Sequence, residues 1–326
     1  MNLKQVILAE TGIIIILAVL FGYLYYHPLS SVSIPEDGLL SPRVYAGIIE
    51  PQSYMVLNYE PLRKYFVEYI EKNHYNMSIY VVNLRDGASL GINQREGYYP
   101  ASLNKVPLAI LILKEVEEGH LSLDQKLPIR PEDRSNASGS LFKTTEKELS
   151  IRTLLEAMLV ESDNTAYLAL EELRKERDFD ILLWSYYGYF DMKTTAEGSI
   201  RDDSIITPRG VYNLFSSLYL STVLTPENSE YVLSLLSRST FNLHKVIGSP
   251  SDVVIAHKFG NGAHLNPVQF HDCGILYLKH SRIFYCVMTK GFREDKGIKV
   301  VGETVAAIYQ YTLDARHFFD AYKEES

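Results

Sequence analysis

Tryptophan and cysteine are nearly absent: the 326 residues hold one of the first and two of the second. Two cysteines leave a single possible bridge, Cys273 with Cys286. They flank a hairpin turn expected at Lys279 to Arg282, at near-equal distances that would set them facing one another on adjacent strands. A cross-strand disulfide and two buried thiols both fit that placement. Basic runs are missing too, and the net charge of -8 argues against a nucleic-acid partner. His257, His264, His271 and His280 lack compact ligand spacing, so they read as polar strand-end residues and no metal or other cofactor is expected. No internal repeat or low-complexity tract occurs.

Charge is sparse at the N-terminus. Thr11 to Tyr26 carries no charged side chain, and the apolar character begins at Ile7, interrupted only by Glu10. Residues 7–26 are long enough to cross a bilayer core. Tyr23, Tyr25 and Tyr26 would lie at one interface, where amphipathic rings are favoured. Lys4 precedes the span and no Lys or Arg follows until Arg43, so the short tail would face the cytoplasm and the bulk of the chain the exterior. A cleaved signal peptide ending near Ser31-Val32-Ser33 is the alternative, and either reading exports the domain. Residues 1–27 are therefore expected to be tail and anchor, and residues 28–57, rich in Pro, Ser and Gly, a linker.

From residue 58 the pattern is that of a folded domain. A helix is expected from about Glu60 to Asn73, with Leu62, Tyr65, Phe66, Tyr69 and Ile70 at helical spacing. Met77 to Leu84 and Ser89 to Ile92 read as strands around Arg85-Asp86-Gly87. A long apolar helix follows, opening at Ser102 and running to Glu118 with Gly119 as its C-cap. Residues 120–250 are mostly helical, apart from a polar, acidic stretch at 191–206. Strand character returns at Val253 to His257, Gly274 to Leu278 and Ile283 to Met288, before a closing helix from Val301 to Tyr322. The expected fold is α+β: a mostly antiparallel five-stranded sheet flanked by the terminal helices, with an all-helical lobe inserted.

Chemistry concentrates in three stretches. Ser102 and Lys105 stand three apart, one helical turn, so hydroxyl and amine share a face. A serine hydroxyl needs a neighbouring base to be a nucleophile, and lysine can serve only if burial or another cation lowers its pKa. The pattern alone is cheap, since Ser140-Leu141-Phe142-Lys143 repeats it in what reads as a loop. Glu161-Ser162-Asp163-Asn164 lies within helical sequence, and His257-Lys258-Phe259-Gly260-Asn261-Gly262 ends a strand. Taken singly, Ser162 or Asn164 would be a helix cap and Lys258 a solvated strand end. Asp163 reads as structural.

In that order the three stretches resemble the S-x-x-K, S-D-N and K-[ST]-G motifs of the penicilloyl serine hydrolases, the class A β-lactamase and penicillin-binding D,D-peptidase superfamily. Pro100-Ala101, Gly139-Ser140-Leu141, Leu154-Leu155, Thr207-Pro208 and His271-Asp272-Cys273-Gly274-Ile275 are similar to further landmarks of the family. The resemblance covers residues 58 to 315 and implies the β-lactamase/transpeptidase fold. It implies that Ser102 forms an acyl-enzyme and that Lys105, its pKa depressed by Lys258, takes the Ser102 proton. Ser162 would protonate the departing nitrogen and Asn164 would bind a substrate carbonyl. Gly260 and Asn261 would line the substrate site, with the backbone N–H groups of Ser102 and Asn261 forming the oxyanion hole.

Two departures stand out. Phe259 replaces the Ser or Thr whose hydroxyl helps hold a substrate carboxylate. No acidic residue sits in the E-x-x-L-N context of the deacylating glutamate; Asp191, Glu197, Asp202 and Asp203 are what the region offers, and Glu197 is the candidate. The sequence thus points to an anchored hydrolase of β-lactams or related amides. A D-alanyl-D-alanine carboxypeptidase or transpeptidase acting on peptidoglycan stem peptides is the alternative. A non-catalytic wall-peptide binder is the third reading, and it has no need of Ser102, Lys105, Ser162 and Lys258 together.

Overall fold

The computed structural model describes residues 38–41, 57–177, 205–278 and 281–325, with side chains to 314. The expected membrane span and the acidic residues 191, 197, 202 and 203 lie outside them. No helix among the described residues is long and apolar enough to cross a membrane.

The first helix, α1 (Glu60–Asn73), turns the chain through His74 in a left-handed conformation into β1 (Asn76–Asn83) and β2 (Ser89–Ile92). A 3-10 turn at Ala101–Asn104 leads into α2 (Lys105–Glu117), then β3 (Lys126–Pro128), β4 (Glu148–Ser150), α3 (Ile151–Val160) and α4 (Asn164–Glu176). Next come α5 (Pro208–Tyr219), α6 (Pro226–Ser237) and the short α7 (Leu243–Ile247). The chain closes with β5 (Val254–Gly262), β6 (Gln269–Leu278), β7 (Ser281–Lys290) and α8 (Glu294–Glu325). The main sheet has the order β2-β1-β7-β6-β5, every neighbour antiparallel, so early and late strands join as expected. A separate hairpin pairs β3 with β4.

One face of the sheet is covered by the terminal helices. Leu62 and Phe66 of α1 and Val301, Val305 and Ile308 of α8 pack with Ile79, Val81, Tyr285 and Val287 in a continuous apolar core. On the other face Tyr212 and Phe215 of α5 meet Tyr80 and Phe284 edge to face or tilted. Strand β6 is buried along its whole length, Gln269, His271 and Asp272 included, which explains why its sequence shows no clean alternation. Cys273 and Cys286 are direct cross-strand partners and form a disulfide. Of the two placements the sequence allowed, the bridge is the one present.

Leu39 to Ser41, expected to belong to a linker, group with the folded domain instead. Leu39 N–H donates to both carboxylate oxygens of Glu230 at 3.1 and 3.0 Å, and Tyr277 Oη donates to Leu39 O at 2.8 Å. Ser41 N–H donates to Tyr219 O, and Leu39 and Leu40 are both buried.

Candidate active site

Α2 explains why the nucleophile candidate is placed as it is. From Val106 to Leu113 every residue is buried, so the helix runs through the interior and carries Lys105 in with it. The sequence suggests a helix opening at Ser102; in fact Ser102 sits in the 3-10 turn and Lys105 is the first residue of α2. In a 3-10 turn residues three apart eclipse one another, which keeps Ser102 and Lys105 on one face. Ala101, just before Ser102, holds a left-handed φ of 46°. Such backbone costs about 1 kcal/mol for a residue with a Cβ, and the packed turn must hold it in place.

Ser162 was expected within continuous helix. The helix breaks there. Α3 ends at Val160, Ser162 has a φ of 55°, and Asp163 caps α4. Asp163 Oδ1 accepts from Ala166 N–H and Oδ2 from Leu141 N–H, each at 2.8 Å, which is the structural task its sequence suggested. Gly139 sits against it with a φ of 84°, and any Cβ there would fall 2.0 Å from Asp163 Oδ2. This clamp ties the 135–143 loop to the break and sets the Ser162 hydroxyl towards Lys105. The second S-x-x-K is spent elsewhere, with Ser140 Oγ donating to Glu161.

Lys105 is 2 % exposed and its amine donates to three acceptors: Ser162 O, Ser162 Oγ at 3.2 Å and Asn164 Oδ1 at 2.7 Å. Burial lowers its pKa to about 7, with the Asp163 carboxylate pulling the other way. Lys258 is fully buried in the middle of β5, a strand that runs on to Gly262 rather than ending at His257. Its pKa is pushed well down, first by burial and then by repulsion from Lys105. The sequence reading had Lys258 depressing Lys105; repulsion between two buried amines is mutual and belongs to the pair. Behind it, Asp272 accepts from Tyr285 Oη at 2.6 Å and pairs with His257 Nδ1 at 2.8 Å. The Asp272 charge favours the protonated form of Lys258.

Gly260 is where β5 comes against the 3-10 turn. A Cβ there would lie 2.9 Å from Pro100 O and 3.4 Å from that of Ala101. Only glycine lets the strand approach the residues before Ser102 so closely.

These elements enclose a cleft of about 930 Å³. Ser102, Asn104 and Lys105 form its floor; Asn164, Tyr167, Leu168, Glu171 and Lys175 one wall along α4; Tyr99, Phe259, Asn261, Ala263, His264 and Glu294 the other. Ser162 and Lys258 lie behind these walls, both without exposure. Sequence reasoning missed Tyr167 and Glu171, although they follow Asn164 by three and seven residues and so share its helix face. It also missed Glu294, whose Oε1 accepts from Asn261 Nδ2 at 2.8 Å. Nothing in the sequence links those two residues. The histidines are engaged separately: His271 with Tyr99 O at 3.0 Å, His264 edge-on to the Tyr99 ring, His257 with Asp272. His280 is outside the described residues.

The family model described as "Beta-lactamase enzyme family" matches residues 61–312. The chain belongs to that family. It is accordingly a serine hydrolase acting on amide bonds, with the class A β-lactamase-like fold that the resemblance implied. Beta-lactamase VEB-1 of Pseudomonas aeruginosa is 23 % identical over 256 residues, 73 % of this chain and 86 % of that protein. The solved structure of PBP-A superposes with a TM-score of 0.69 at 19 % identity, covering 80 % of this chain and 99 % of that one. A β-lactamase from Chitinophaga pinensis superposes at 0.68 and 20 % identity, covering 78 % of this chain and all of the other. A mutant PBP-A, solved as its acyl-enzyme complex with penicillin G, superposes at 0.67.

Proposed function

We propose that the protein is a membrane-anchored, extracytoplasmic hydrolase that opens a β-lactam or related amide through an acyl-enzyme on Ser102. The observation that carries this reading is the Lys105 amine, buried one turn from Ser102, bound to Ser162 and Asn164, with a pKa near neutrality. Neutral Lys105 takes the Ser102 proton as Oγ bonds to the substrate carbonyl carbon. The backbone N–H groups of Ser102 and Asn261 hold the resulting oxyanion, worth about 3 kcal/mol per donor. When the C–N bond breaks, Ser162 gives its proton to the nitrogen and regains one from Lys105. Asn164, while orienting Lys105, offers its amide N–H groups to a substrate carbonyl. Water then splits the ester, releasing the acid and restoring Ser102.

The last step is slow in this reading. Among the described residues lining the cleft the carboxylates are Glu171 and Glu294. Glu171 is tied to Arg174 by two hydrogen bonds and Glu294 to Asn261, so neither is placed as a free base. Glu197 remains the candidate base. Slow deacylation also favours the second reading, a D,D-peptidase acting on stem peptides. The apolar segment at 7–26, charged only at Glu10, supports the anchor and the outward-facing domain.

Incubation with penicillin and intact-mass analysis test the reading. A single acyl adduct on Ser102, absent from Ser102→Ala, is expected. No adduct, or equal labelling of the variant, overturns it. Nitrocefin turnover against D-alanine release separates the two substrate classes.

A further inference from the structure

Phe259 changes what the β5 wall of the cleft can bind. The Lys258 amine lies 4.3 Å from the centre of the Phe259 ring, and its lysine has no exposure. The ring, packed against Phe241 and Phe270 at 5.0 and 6.5 Å, faces the cleft in its place. A substrate anion at this wall therefore meets an aromatic surface, and the cation behind it is shielded. The other cations among the described cleft-lining residues are engaged elsewhere. Lys105 is committed to Ser162 and Asn164, and Lys175, on the opposite wall, to Glu172.

The polar groups of the β5 wall have the same bias. Asn261 Nδ2 is spent on Glu294, which fixes the amide orientation and leaves Oδ1 as a buried acceptor without a hydrogen-bond partner. Glu294 itself is exposed at the rim and carries negative charge. The Glu294 carboxylate beside an aromatic face calls for a flat, uncharged group that brings N–H donors. A carboxylate brings none and would face Glu294 across the cleft mouth. We propose that the β5 wall favours a carboxamide, either a terminal primary amide or a continuing peptide amide, over a free carboxylate at that position.

The inference rests on the serine hydrolase reading above and narrows its substrate. The test uses the full chain and a matched pair: a peptide ending in D-alanyl-D-alanine and the same peptide ending in D-alanyl-D-alaninamide. Release of the last residue is followed as kcat/KM, with labelling of Ser102 by penicillin G methyl ester, which carries no free carboxylate, as a parallel measurement. Wild type should favour the amide by tenfold or more. Phe259→Thr, which uncovers Lys258 and adds a hydroxyl, should move the ratio tenfold towards the acid. Glu294→Gln, at an exposed position where folding is not at stake, should raise the rate on the acid several-fold. An acid preferred by wild type, or a ratio unmoved by both substitutions, overturns the inference while the hydrolase stands. Labelling by the penicillin ester without turnover of either peptide also counts against it. Failure of both penicillin G and its uncharged ester to label Ser102 removes the hydrolase reading and this one with it.

Discussion

Lys105 Nζ lies 2.7 Å from Asn164 Oδ1, joining the first residue of one helix to the first residue of another. The contact fixes a buried amine whose protonation governs both reactivity and stability.

Acylation of Ser102 should follow the neutral fraction of Lys105. With its pKa lowered to about 7, the rate rises about tenfold per unit below pH 7 and levels off above it. Stopped-flow or intact-mass acylation rates between pH 5.5 and 9 check this; a profile flat from pH 5.5 to 7 contradicts it. Stability carries the matching sign. The folded value lies below the ordinary lysine value of 10.5, so the unfolded chain binds more protons between about pH 7 and 10.5. Wild type should therefore gain stability over Lys105→Met as pH rises from 7 to 9, by up to about 1.4 kcal/mol per unit. Urea midpoints of the two proteins measure the difference.

Asp163→Asn should shift that acylation profile to lower pH. The Asp163 charge raises the Lys105 pKa, so its removal lets Lys105 lose its proton earlier. The cap to Ala166 and the bond to Leu141 both need an acceptor, which the Asn amide supplies only in part. A loss of about 1–2 kcal/mol is expected in denaturant melts. An unmoved inflection with full stability would contradict both roles.

How much of this was legible in the sequence depends on range. The turn residues, the apolar run of α2 and the ordered motifs Ser102–Lys105, Ser162–Asn164 and Lys258–Gly260 are local patterns, and they led to the sheet, the helical lobe and the site. The break at Ser162 was hidden because Met158 to Leu168 keeps helical composition; the left-handed residue is imposed by the Gly139–Asp163 clamp, a tertiary contact. Taken singly Lys258 looked like a solvated strand end, because its burial is decided by β6 and the helical lobe; only the ordered motifs placed it at the site. The Asn261–Glu294 pair joins residues 33 apart on a strand and a helix, and no spacing rule connects them.

Gly260→Ala should separate folding from catalysis. The added methyl would sit 2.9 Å from Pro100 O, a backbone atom that yields only if β5 or the Ser102 turn moves. A displacement approaching 1 Å costs on the order of 100-fold in rate. Acylation is expected to fall 10- to 100-fold with cooperative unfolding retained. Wild-type rates in the variant would mean that the close approach has no bearing on Ser102.

Leu39 to Ser41 give the last prediction. Their three backbone bonds reach Glu230 in α6, Tyr277 in β6 and Tyr219 in α5, all on the side of the fold built from those elements. Leu40→Asp would place a charge where the leucine is 3 % exposed, and undocking then costs less than burying the carboxylate. The Leu39 and Ser41 amides should exchange slowly with deuterium in wild type and fast in the variant. Acylation of Ser102 should be unchanged, because none of these residues lines the cleft.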